Sequence, residues 1–189
     1  MHRPGEDYDR IDRLARNILI DYGITRFPLD MFDLCKKMGF IVVPYSSYEK
    51  NEEALQLLLK KSKDGFYFPA CNGMPPQIIY NDKYGDHLTP ARIQSTLGHE
   101  IKHILEEDTT DEEDDLCDHF ARYLRCPIPI VIHLGLSTEM ELISYFQISS
   151  TQAQITLSSV WNRTCTYGNQ IFPDEKELLE TFIDTSSNK

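Results

Sequence analysis

The stretch from Thr89 to His103 constrains this chain more than any other, because it sets His99 and His103 four positions apart with Glu100 beside the first. That is the H-E-x-x-H pattern, in which two imidazoles on one helical face bind zinc and the glutamate acts as base. The pattern carries this meaning only on a helix, and the local sequence supports one. Thr89 can cap the N-terminus, Pro90 suits the first helical position, and Ile93, Leu97, Ile101, Ile104 and Leu105 recur at a spacing that makes one apolar stripe. At about 100° per residue, His99 and His103 fall together on a sector beside that stripe, so both rings can reach one ion at about 2.0–2.1 Å. Glu100 lies between stripe and ligands, where it can take a proton from a water that the ion acidifies and pass it to a leaving amine. With six histidines in the chain, the five-residue pattern arises by chance in roughly one chain in seventy of this composition, so the surroundings must carry the rest of the case.

A chain of 189 residues, 41% hydrophobic and 26% charged, can bury a proper core. The expectation is a single metallopeptidase domain over residues 1–189. Within it, 1–26 supply an N-terminal helix, 27–127 the sheet and the metal-site helices, 128–172 a helical hairpin and 173–189 a tail. There is no N-terminal apolar run of signal-peptide type and no long uninterrupted apolar window, so the cytoplasm is the expected location and no membrane is implied. The five cysteines Cys35, Cys71, Cys117, Cys126 and Cys165 are odd in number, scattered and without a C-x-x-C pair. They read as reduced, mostly buried thiols, not as a disulfide framework or a cysteine zinc knuckle. A net charge of −11 argues against a general nucleic-acid surface, which needs clustered Lys and Arg. Much of the charge is local, since nine of the thirteen residues from Glu106 to Asp118 are acidic. Most of these form a solvated face, although a dication would offset part of their repulsion.

Along the chain, Tyr8 to Tyr22 carries an apolar helical face that ends near Gly23, and a second helix runs from about Pro28 or Leu29 to Gly39. Phe40 to Tyr45 is short and β-branched, hence a strand, and Pro44 places it near an edge. Asn51 to Lys63 is a helix. Gly65 to Pro69 and Gln77 to Asn81 are strands joined by a turn-rich loop, expected to form an antiparallel meander. An edge strand beside the metal helix could hold an extended substrate by main-chain hydrogen bonds. After the metal helix a second helix is expected from about Asp111 to Arg125, ended by Pro127 and Pro129. Ser137 to Tyr145 and Ser149 to Trp161 then make a helical hairpin that is poor in Lys and Arg and therefore unsuited to DNA. Pro173 to Phe182 is a last helical stretch.

Two histidines do not complete a catalytic zinc site, which takes three protein ligands and leaves the fourth position to water. The second helix offers Glu112, Glu113, Asp114, Asp115, Asp118 and His119. Asp114 and Asp118, four residues apart on one face, can act together, one on the ion and the other accepting a hydrogen bond from a ligand histidine. With Phe120 set at 0°, Leu116 and Leu124 lie within about 40°, Asp114 and Asp118 at about 120° and 160°, and Glu113 near 20°, so the wheel alone leaves the choice open.

The sequence resembles the ImmA/IrrE-type metallo-endopeptidases, small relatives of the gluzincin zinc peptidases. The resemblance rests on Ile78-Ile79-Tyr80-Asn81, on Arg92 to His103, on Asp114-x-x-Cys117-Asp118-x-Phe120-Ala121-Arg122-Tyr123-Leu124 with Cys126-Pro127, and on Phe146-Gln147-Ile148-Ser149. It covers roughly Phe27 to Arg163. The family's second helix carries E-x-x-A-[DN]-x-F-A, whose first acid is the third zinc ligand. The resemblance thus implies Asp114 in that role, with Glu113 next in line. This chain departs from the pattern in having Asp at that position, Cys117 where Ala is usual, and Lys102 where Gly or Ala is common. The resemblance also implies an α+β, zincin-like fold: a small antiparallel sheet, the H-E-x-x-H helix and a helical C-terminal part. It implies one zinc ion per chain, with manganese or iron as other candidates, and a protein substrate of the transcriptional-repressor kind. The competing expectation is a catalytically silent metal-binding interaction protein of the same fold, which a fourth protein ligand from His119 or Asp118 would favour.

Overall fold

The hydrophobic period along the chain switches between that of a helix and that of a strand, and the secondary structure follows it. The computed structural model describes residues 5–107 and 114–186. Its elements are α1 (Gly5–Asp21), α2 (Met31–Lys37), β1 (Ile41–Pro44), α3 (Glu52–Lys61), β2 (Gly65–Phe68), β3 (Gln77–Tyr80), α4 (Pro90–Glu106), α5 (Asp114–Arg125), α6 (Ile128–Leu134), α7 (Glu139–Phe146), α8 (Ser150–Tyr167) and α9 (Lys176–Ser186). The fold is α+β. The chain makes two compact units, one from residues 30–121 and one from 1–29 with 122–189. Among the described residues no helix is long and apolar enough to cross a membrane.

The unit of residues 30–121 is built on a three-stranded sheet in the order β1-β3-β2. Strands β2 and β3 pair antiparallel as expected, but β1 pairs parallel with β3, so the sheet is mixed and not the antiparallel one the sequence suggested. The reason lies in the connection. Between β1 and β3 the chain makes α3 and β2, a path long enough to return it to the same end of the sheet, which a parallel pairing requires. The central strand β3 is buried on both faces. Its Ile79 joins Tyr45, Leu55 and Phe66 in a cluster completed by Leu58 and Leu59 of α3, while neighbouring side chains alternate to the opposite face. There α2 and α4 pack, with the Phe32 ring edge-on to Tyr80 at 5.3 Å. Pro44 ends β1 at the sheet edge, where a missing N–H costs nothing.

Helix α4 is held from several sides. Thr89 caps it by accepting from the Arg92 N–H, and Pro90 opens its first turn. The Met31 N–H of α2 donates to Gln94 Oε1 at 2.7 Å. Against β2 the fit is tight, since a Cβ added at Gly65 would stand 2.9 Å from Thr96 Cγ2. Arg92 forks onto Asp64, just before β2, with Nε–Oδ1 2.5 Å and Nη2–Oδ2 2.7 Å. The nearly buried Asn81 donates to the Lys63 and Tyr84 carbonyls at 2.7 Å each and so closes the loop that leads into α4.

In the other unit, α1 packs on α9, and Arg16 donates to Tyr123 Oη at 3.1 Å and to Asp174 Oδ2 at 2.5 Å. Helices α7 and α8 form the expected hairpin. Thr138 and Glu141 make a capping box, Gln147 ends α7 in the left-handed region at φ 52°, and the buried Arg125 donates to the Gln147 carbonyl at 2.8 Å. One element departs from expectation. Pro127 ends α5, but Pro129 falls in the first turn of α6, where a missing N–H is harmless, so the two prolines separate two helices where the sequence suggested one stop. Helix α8 also runs past Trp161 to Tyr167, and in this added length Arg163 is forked onto Glu175 at 2.5 and 2.6 Å.

Candidate metal centre

The site lies where α4 meets the start of α5, and one glycine sets how closely they approach. A Cβ at Gly98 would stand 2.9 Å from Ala121 Cβ and 3.1 Å from Ala121 Cα. With the small pair Gly98 and Ala121 in contact, the side chains one turn earlier on α5 reach the histidines beside Gly98.

His99 and His103 turn their Nε2 atoms toward one point, 3.1 Å from each other, with ring centroids 4.9 Å apart. Asp118 explains the orientation of the first ring. Its Oδ1 accepts from His99 Nδ1 at 2.9 Å, which leaves Nε2 with its lone pair facing the site. Asp114 Oδ1 stands 3.6 Å from His99 Nε2 and 3.7 Å from His103 Nε2, nearly equidistant at the exposed rim. On the buried side, Cys117 Sγ lies 3.4 Å from His103 Nε2. His99, His103 and Cys117 thus form a group whose ligand atoms all lie within 4.8 Å of one another and could hold a metal ion.

Two of these spacings, 3.1 Å between the nitrogens and 3.4 Å from nitrogen to sulfur, are close to those of coordination. With bonds of about 2.0–2.1 Å to nitrogen and about 2.3 Å to sulfur, a tetrahedral ion separates two nitrogens by roughly 3.3 Å and a nitrogen from a sulfur by roughly 3.5 Å. The field suits a dication as well. Burial works against a charged His99, but the Asp118 hydrogen bond and the charges of Glu100, Asp118 and Asp114 outweigh it and hold the imidazole above its ordinary value. A field that favours an imidazolium also favours a metal cation.

Glu100 is buried beside the first histidine. Burial pushes its carboxyl up to about 7, a rise that Asp114 reinforces and that His99, the Tyr67 backbone N–H and Lys61 oppose. Tyr67 of β2 therefore touches the site twice, because its ring also stacks on His103 with 6.0 Å between centroids and 13° between planes. Lys102, the departure on α4, is fully buried and carries its charge to Glu106 Oε2 at 2.9 Å, a partner one turn along the same helix.

The structure therefore brings His99, Glu100, His103, Asp114 and Asp118 into one locality. Glu112 and Glu113 lie outside the described residues. Among the described residues, the group whose donor atoms lie close enough to hold one ion is His99, His103 and Cys117, and it includes none of Asp114, Asp115, Asp118 and His119. Cys117 is the residue that sequence reasoning passed over as one more buried thiol. The signal was present on the helical wheel, where Cys117 falls near 60°, between the buried Phe120 and the rim residue Asp114. Comparison with protein-family models finds no match, and comparison with curated proteins finds none either.

Proposed function

We propose that the chain is a zinc-dependent endopeptidase of the ImmA/IrrE type, with a zincin-like fold, that works in the cytoplasm and cleaves a specific regulatory protein of the repressor kind. One observation carries this reading: the two Nε2 atoms stand 3.1 Å apart with Asp114 Oδ1 nearly equidistant from both, and the carboxyl of Glu100 is buried next to them. His99, His103 and Asp114 would hold the ion. A zinc ion there supplies Lewis acidity, acidifying water and polarising a peptide carbonyl. Glu100 takes a proton from the attacking water onto its carboxylate and delivers it to the amide nitrogen of the leaving strand. The Tyr67 N–H keeps that carboxylate in place, and Asp118 keeps His99 in the tautomer that presents Nε2. The repressor-type substrate rests on the sequence resemblance alone, and nothing in the site calls for nucleic acid.

The test is Glu100→Gln, assayed with a peptide library after zinc loading. The amide fills the same space and still accepts a hydrogen bond, so the variant should keep one zinc per chain and lose cleavage by at least about a hundredfold. Equal cleavage by variant and wild type would refute the general-base role. A second reading, a metal-binding protein without catalysis, has one observation in its favour. A buried Cys117 sulfur stands where a fourth protein ligand would close the shell.

A further inference from the structure

We infer that Cys117 Sγ is itself a metal donor, so that the centre is a sulfur-containing one, and that this sulfur makes zinc the ion the chain selects over manganese or magnesium. The inference rests on the second, metal-binding reading above, adds a residue and a selectivity to it, and stands against the peptidase reading, because a fourth protein donor closes the shell that a catalytic zinc leaves open to water. The sulfur has no exposure to solvent and sits 3.4 Å from His103 Nε2. That nitrogen is 3.1 Å from His99 Nε2. Both separations are within about 0.2 Å of the edges a tetrahedral zinc imposes on its donors. Three atoms able to act as ligands thus gather from two helices within 4.8 Å of one another, where the small pair Gly98 and Ala121 brings the helices close. Asp114 adds an oxygen from the rim.

The chemistry of the donors then decides the metal. Imidazole and carboxylate accept zinc, manganese and iron with modest discrimination, whereas a thiolate binds zinc or cobalt strongly and manganese or magnesium poorly. On binding, the Cys117 S–H bond breaks, the proton passes to solvent and the sulfur pair forms the bond to the ion, with no change of oxidation state. A second buried thiol in the same unit, Cys35 on α2, lies outside the group and serves as the internal control.

The experiment is cobalt substitution of the full chain, in wild type, Cys117→Ala and Cys35→Ala, with melting curves to confirm that each variant is folded. Wild type and Cys35→Ala should show the intense near-ultraviolet thiolate-to-cobalt charge-transfer band, and Cys117→Ala should lose it. In competition, the preference of wild type for zinc over manganese should fall by at least about tenfold in Cys117→Ala. A folded wild type that binds one cobalt without the band, or a zinc preference unchanged in Cys117→Ala, would overturn the inference. So would a wild type that binds no cobalt, which would remove the metal reading beneath it. Loss of proteolysis bears on the peptidase reading alone, because neither the band nor the preference depends on cleavage.

Discussion

Replacing Gly98 with alanine tests whether the approach of α4 and α5 is what assembles the site. The new methyl would stand 2.9 Å from Ala121 Cβ and 3.1 Å from Ala121 Cα. Carbon atoms rest at about 3.5–4.0 Å, so α5 must withdraw by about 0.6–1.1 Å at this point. Overpacking of this kind costs about 1–3 kcal/mol, and the better helix propensity of alanine returns about 1 kcal/mol of it. The net loss of stability should therefore be small, about 0–2 kcal/mol. The metal site should suffer far more, because coordination tolerates displacements of only about 0.2 Å and two of the donors ride on α5. Gly98→Ala should thus weaken zinc binding by at least about a hundredfold while the protein stays folded, and Ala121→Gly in the same chain should restore it only in part, because the Cα of residue 121 at 3.1 Å remains in the way. Zinc titration against a chelator gives the affinity, and urea unfolding of the metal-free protein gives the stability. Wild-type affinity in Gly98→Ala, or a double variant no better than the single one, would refute the reasoning.

Other outcomes follow from the same geometry. His99→Ala and His103→Ala should each abolish stoichiometric binding of one dication, read by elemental analysis after dialysis. Asp114→Ala should weaken metal binding and stop cleavage, whereas Asp118→Ala should cost about 10–100-fold in affinity, as expected of a group that orients His99 without touching the ion. Asp64 is held below its ordinary 3.8 by the hydrogen bonds from Arg92, against the opposing effect of burial. Because its folded pKa is lowered, its stabilising contribution is fully present above that ordinary value and fades as pH falls below it. Asp64→Asn should therefore cost up to about 1 kcal/mol near neutral pH, with the difference from wild type shrinking in acid, as urea unfolding at several pH values would show.

The elements that sequence patterns place best are those whose ends carry explicit signals. Thr89-Pro90 starts α4 where the caps predict, and Pro44 marks an edge strand, whereas α7, expected from Ser137, begins after its cap Thr138. The parallel pairing of β1 was not legible, because strand direction depends on the route of the connection and leaves no mark on the alternation within Ile41 to Pro44. Helix α6 was missed because Pro129 reads as a stop, although it is equally acceptable in a first turn. At the site, the H-E-x-x-H spacing made His99, Glu100 and His103 readable, and the helical wheel placed Asp114 and Asp118 on one face. The nearness of Cys117 to His103 was hidden, since it depends on a tertiary contact between Gly98 and Ala121 that no local period encodes.

The bond from the Tyr67 N–H to Glu100 has a consequence for the sheet as well as for the base. Strand β2 is an outer strand of its sheet, and an outer strand with free amides is a template on which other chains can add. Here one of its amides is engaged by a side chain from a helix. A strand added along β2 would have to compete with Glu100 for that donor. One hydrogen-bonding position on this outer strand is thus already taken from within the chain, by a carboxyl carried on α4.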